Sequence, residues 1–123
     1  MTTLLDTSVL TGPPFEDLPE KGAVSIVTIA EMRLGVLLAA DPITGSARLA
    51  RLTAVERAYE AIPVDDSIAS AYAALVASAR QLGRRPRTLD SLIAATAIAR
   101  DLTLYTRDRG FQNLPGLDLR VVE

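Results

Sequence analysis

Short apolar runs alternate along this chain with longer segments of helical period. Thr2 to Leu5 is brief, apolar and bounded by polar residues, which predicts a buried strand. Ala23-Val24-Ser25-Ile26-Val27 predicts a second strand, Ile62-Pro63-Val64 a third, Leu102 to Thr106 a fourth and Leu117 to Val122 a fifth. Between them lie helices. Thr28-Ile29-Ala30-Glu31 fits a capping box, so a helix is expected from there to about Ala40, ending at Asp41-Pro42. Gly45-Ser46 opens the next, to about Ala61, with Leu49, Leu52, Val55, Tyr59 and Ile62 as its apolar stripe. Asp65-Asp66 caps a helix over Ser67–Leu82, with Ile68, Tyr72, Leu75, Ala79 and Leu82 inward and Gly83 as its terminator. Thr88 caps a last helix over Leu89–Asp101. Gly12-Pro13-Pro14 breaks the chain, Phe15–Glu20 predicts one helical turn, and Arg107–Phe111 and Pro115-Gly116 predict turns. Alternating strand and helix predicts an α/β fold: a three-layer α/β/α sandwich around a mainly parallel sheet, formed by one domain over residues 1–123.

The helix expected over 28–40 is apolar nearly all round. Ile29, Met32 and Val36 lie on one side, Leu34, Leu37 and Leu38 on others. Such a helix needs cover on more than one face. The sheet supplies one cover; a partner chain or a second copy is expected to supply the other.

Composition narrows the chemistry. The chain has no cysteine and no histidine. That excludes disulfides, thiolate and imidazole metal sites, and histidine-dependent nucleophilic catalysis. Acid–base or metal work falls to Asp and Glu, whose oxygens suit Mg²⁺ or Mn²⁺. The formal net charge is −2, no general attraction for nucleic acid, but the basic residues are twelve Arg and only Lys21. Arginine favours forked contacts to phosphate or carboxylate. No signal peptide is visible and no apolar stretch approaches the roughly 20 residues of a membrane span, so a cytoplasmic protein is expected.

Four acids share one expected position. Asp6 ends the first strand, Glu31 and Asp90 fall in the first turns of helices, and Asp108 follows the Leu102–Thr106 strand. In a parallel sheet these places lie on one edge, where ligands gather. Two carboxylates about 4 Å apart repel by roughly 4 kcal/mol at an effective dielectric near 20, a cost that a divalent cation removes. The cluster is therefore a candidate for metal-assisted phosphoryl chemistry, with Asp6, Asp90 and Asp108 as metal ligands and Glu31 either binding the metal through water or positioning the attacking water. Taken singly, each acid also has a structural reading: a turn at Asp6 or Asp108, a capping box at Glu31, a helix-dipole partner at Asp90. Asp101, about 16 Å along the helix from Asp90, is too far to join them. Asp65 and Asp66 read as caps, and Glu56 and Glu60 as a solvated face.

Thr7, Ser8 and Thr106 stand beside the acids and are expected to hydrogen-bond the ligating carboxylates or a metal-bound water. Arg84, Arg85, Arg87, Arg107 and Arg109 are candidates for holding a phosphate backbone, with Arg33 a weaker one.

Four segments in order carry a family resemblance: Leu4-Leu5-Asp6-Thr7-Ser8, Ser25 to Glu31, Asp90 to Ala97, and Tyr105-Thr106-Arg107-Asp108. Together they resemble the PIN domain, and in particular the VapC-type toxins of bacterial toxin–antitoxin pairs. The resemblance spans the whole chain. It implies an endoribonuclease dependent on Mg²⁺ or Mn²⁺, an acidic site of Asp6, Glu31, Asp90 and Asp108, the hydroxyl of Thr106, a homodimer, and a VapB-type antitoxin docking on the early helices over Leu34, Leu37 and Leu38. The fourth acidic position is often Asn in the family; Asp108 adds charge there. The short loop 12–20 is a departure that would alter the docking groove. Two rivals differ in class. A catalytically inactive PIN-like binding module, acting through protein or RNA partners, would lack divalent-ion binding. A phosphoacceptor receiver domain would need paired early acids and a late lysine, whereas the only lysine is Lys21.

Overall fold

A computed structural model describes residues 2–12, 19 and 21–122. Its strands are β1 (Thr3–Leu5), β2 (Ala23–Ser25), β3 (Glu60–Ile62), β4 (Thr103–Thr106) and β5 (Leu119–Val121). Its helices are α1 (Thr7–Thr11), α2 (Ile26–Leu37), α3 (Pro42–Ala58), α4 (Asp66–Gln81) and α5 (Thr88–Ala99), followed by a 3-10 turn over Arg109–Asn113. The strands form one sheet in the order β3-β2-β1-β4-β5, and every pairing is parallel.

Alternation along the strands sends successive side chains to opposite faces. Leu4 and Leu104 point to the face covered by α4 and α5, where they meet Ile68, Leu75, Ile93 and the alanines of α5. Leu5 and Val24 point to the other face and meet Val9, Ile29, Met32, Leu52 and Val55 from α1, α2 and α3. This is the expected three-layer sandwich. Full burial of each large aliphatic side chain contributes about 1.5–3 kcal/mol.

The chain runs outward from β1 through β2 to β3, then returns to the far side of β1 with β4. The order reverses at β1, so a crevice opens beyond the carboxyl ends of β1 and β4, the ordinary ligand address of an open parallel sheet. Among the described residues no helix is long and apolar enough to cross a membrane.

Several boundaries differ from the sequence reading. The second helix begins at Ile26, capped by Ser25, whose hydroxyl accepts from Val27 N at 3.0 Å. Thr28 and Glu31 therefore form no capping box, and Glu31 stands in the second turn. Asp41 does not merely end a helix: its carboxylate caps the next, with Pro42 at the first position. Proline suits that position because the missing N–H has no intrahelical partner there. Thr88 is the first residue of α5, and the cap is Arg87, without a side-chain cap bond. A five-residue helix, α1, follows Asp6 directly, too short to leave a periodic signal. Leu82, expected inward, is 64% exposed at the C-terminus of α4. Gly83 does terminate α4, with φ of 77°, in the left-handed region that favours glycine. The helical turn expected over Phe15–Glu20 lies outside the described residues.

Candidate active site

Each acid is delivered by a separate element. Asp6 caps α1 at the end of β1, is 4% exposed, and is anchored by its backbone N–H donating to Tyr105 O at 2.9 Å. Its Oδ2 receives Ser8 Oγ at 2.7 Å, Thr106 Oγ1 at 2.8 Å and, more weakly, Ser8 N at 3.4 Å. All three bonds fall on one oxygen.

Thr106, fully buried at the end of β4, ties two acids together: it donates to Asp6 and accepts the backbone N–H of Asp108 at 3.0 Å. Ser8 Oγ also accepts the N–H of Arg107 at 3.0 Å, so the ends of β1 and β4 are cross-linked through hydroxyls. Asp108 caps the 3-10 turn, its Oδ1 accepting from Gly110 N at 2.8 Å. A Cβ at residue 110 would meet that Oδ1 at 3.0 Å, which explains the glycine.

Glu31 reaches the crevice from α2. Its Oε1 accepts from Thr7 Oγ1 at 2.9 Å, while Thr28 Oγ1 lies 3.0 Å from the same hydroxyl. The carboxylate is the better acceptor for the single Thr7 proton. Burial raises the pKa of Glu31, with Asp6 and Asp90 adding repulsion, against the Thr7 bond and Arg87. Asp90 lies in the first turn of α5, and its pKa is likewise raised by burial and by the charges of Asp6 and Asp108, with Arg87 opposing. Thr106 joins Asp6 to Asp108, Arg87 joins Asp108 to Asp90, and the charge of Asp6 bears on both Glu31 and Asp90.

Arg87, expected among the arginines that hold a phosphate backbone, contacts two of the acids. Its Nε lies 3.0 Å from Asp90 Oδ2 and its guanidinium NH2 3.1 Å from Asp108 Oδ2. It faces the acids rather than an outside phosphate. Arg84 donates to Asn113 O at 2.5 Å, and Arg33 pairs with Glu56 at 3.2 Å, which removes Arg33 from the crevice. Arg85 and Arg109 are exposed. Thr28 was missed by sequence reasoning. Its signal was present: it precedes Glu31 by three residues on the same helix face, so one hydroxyl can meet both.

Among the described residues no three acids already enclose a point where a cation would sit. The donor set nonetheless suits a hard divalent ion, because every candidate ligand is a carboxylate oxygen. Acids gathered near the switch point of a parallel sheet define a class of α/β proteins with a carboxylate-lined ligand address.

Comparison with known proteins gives that class its family. The PIN domain model matches residues 3–117. Ribonuclease VapC5 of Mycobacterium tuberculosis is 40% identical over 92% of this chain and 87% of its own length. Ribonuclease VapC4 of the same organism is 34% identical over 94% and 93%. A chain of the VapBC-5 toxin–antitoxin crystal structure from that organism superposes with a TM-score of 0.88, at 38% identity, over 99% of this chain and 98% of that one. The FitAcB structure from Neisseria gonorrhoeae superposes at 0.82, with 30% identity over 96% of both chains. The chain belongs to the PIN domain family, in its VapC-type ribonuclease branch.

Proposed function

We propose that this VapC-type protein is a metal-dependent endoribonuclease toxin held in check by a VapB-type antitoxin. The observation that supports the mechanism is the buried Asp6 at the end of β1, held through its Oδ2 by Ser8 and Thr106.

Asp6, Asp90 and Asp108 would hold Mg²⁺ or Mn²⁺, which supplies a Lewis acid for the scissile phosphate and lowers the pKa of a bound water. The protein supplies position. Ser8 and Thr106 fix Asp6, and Thr106 sets the backbone of Asp108. Glu31, steadied by Thr7, orients the attacking water or takes its proton; burial raises its affinity for a proton, which suits a base. Arg85, Arg107 and Arg109 at the rim hold the RNA backbone, with Arg84 beside them.

The antitoxin reading rests on the similar VapBC-5 structure, a member of a family of toxin–antitoxin systems, and on an uncovered apolar surface. Leu34 is 54% exposed, Leu37 82%, Leu38 68% and Ile43 84%, all near the α2–α3 junction. Contiguous exposure on that scale marks an interaction site. A groove of about 620 Å³ between α2 and α3 is lined by Ile43, Ala47, Met32 and Glu31. A homodimer would use part of the same apolar surface, and RNA is the proposed substrate.

The test is cleavage of a sensitive RNA by wild type, Asp6→Asn and Asp90→Asn, with circular dichroism to check folding. Folded but inactive variants are expected. Full activity in both would remove the mechanism, and absence of divalent-ion binding by calorimetry would favour an inactive binding module instead.

A further inference from the structure

We propose that Arg87 is a built-in counter-cation of the acid site, occupying Asp90 and Asp108 until a divalent ion displaces it. The inference rests on the metal-dependent reading above. Its basis is geometric. Arg87 sits at the N-terminal boundary of α5, and its fork spans two elements: Nε on Asp90 Oδ2 at 3.0 Å and NH2 on Asp108 Oδ2 at 3.1 Å. With Gly110 N on Oδ1, Asp108 has both oxygens engaged, one of them by Arg87. The acids proposed as ligands are thus partly neutralised from within.

The same side chain is 78% exposed, so nothing packs it in place and leaving costs little order. Exposed ion pairs hold weakly, whereas a divalent ion on several carboxylates gains far more. Exchange therefore runs toward the metal. A planar guanidinium released at the crevice mouth is suited to a phosphate, so one residue would guard the empty site and face substrate in the loaded one.

Isothermal titration with MnCl₂ on full-length protein, without RNA, tests this. Arg87→Met should tighten the Mn²⁺ dissociation constant by about fivefold, the scale of two solvent-facing ion pairs that no longer compete. Arg85→Met, which removes an equal charge from the same loop but neither of these contacts, should leave it near wild type. In wild type, the NMR signal of the Arg87 Nε–H should shift as a diamagnetic Mg²⁺ titration proceeds. An unchanged or weaker affinity in Arg87→Met, or equal tightening in both variants, overturns the proposal while leaving the nuclease reading intact. Wild-type protein that binds no Mn²⁺ overturns the metal reading itself.

Discussion

Thr106→Val is the sharpest probe of how the site is held. The substitution keeps the shape of a fully buried side chain and deletes its hydroxyl. Two bonds go with it: the 2.8 Å donation to Asp6 Oδ2 and the 3.0 Å acceptance from Asp108 N. A hydrogen bond to a carboxylate contributes about 1.5–3 kcal/mol, and a stranded, part-buried N–H costs about 1 kcal/mol more. The expected loss is therefore about 2.5–4 kcal/mol, a large share of the roughly 5–15 kcal/mol by which a domain is stable. Thr106→Ser makes the opposite cut. It keeps both bonds and removes one methyl group, for about 1 kcal/mol. Urea denaturation with a common m-value ranks the three proteins wild type, Ser, Val. The same ranking is expected for divalent-ion affinity, where losing the partner of a ligating carboxylate typically costs about 10–100-fold. If Thr106→Val equals or exceeds Thr106→Ser in stability, the hydroxyl does not organise the site and packing alone explains Thr106.

Further outcomes follow from the same geometry. Asp90 and Glu31 have folded pKa values raised chiefly by burial, so their favourable contribution is present below the unfolded values and is lost as pH rises through the folded ones. In chelator, Asp90→Asn should therefore melt higher than wild type at pH 7, the gain fading in acid; a lower melting temperature at pH 7 would show the charge to be stabilising. Thr7→Val removes a bond that lowers the Glu31 pKa, so the acid limb of the kcat/KM profile should move to higher pH, and an unmoved limb would deny Glu31 its role as base. Leu37→Glu places a charge in the most exposed of the α2 leucines and should weaken antitoxin binding on the order of tenfold or more, read by calorimetry; unchanged affinity would move the interface elsewhere.

What the sequence made legible were features set by local chemistry. Leu4-Leu5 and the Leu102–Thr106 run are apolar because both sheet faces are covered, and the parallel three-layer order follows from their alternation with helices. Asp6 at the end of β1, Asp90 in the first turn of α5 and Asp108 just after β4 stand where the pattern of elements puts them, whereas Glu31 stands a turn deeper in α2 than expected. Less legible was anything decided by a choice between near-equal local options. Ser25 and Thr28 are both able caps, and Ser25 prevailed because β2 needs only three residues to pair with β3. Asp41-Pro42 reads equally as a stop and as a start. For Arg87 the sequence carries the i,i+3 spacing to Asp90 but not the contact to Asp108, 21 residues away, which depends on the return of β4.

The two sides of the sheet are finished to different degrees, and this bears on control. The α4–α5 side is closed by alanine-rich packing: Ala94, Ala95 and Ala97 are fully buried against Leu4 and Leu104. The α2–α3 side buries Ile29, Met32, Leu52 and Val55 but leaves Leu34, Leu37 and Ile43 to solvent. Glu31 belongs to the same helix as the exposed leucines, three residues before Leu34 and six before Leu37. It also lines the groove between α2 and α3. A chain segment seated on the leucines therefore needs to travel only about two helical turns, roughly 10 Å, to reach an acid of the site. Affinity would come from covering apolar surface and inhibition from entering the crevice, and one rigid helix sets the distance between the two. That separation lets a docking substitution such as Leu37→Glu change affinity without touching the carboxylates that Thr7, Ser8 and Thr106 hold in place.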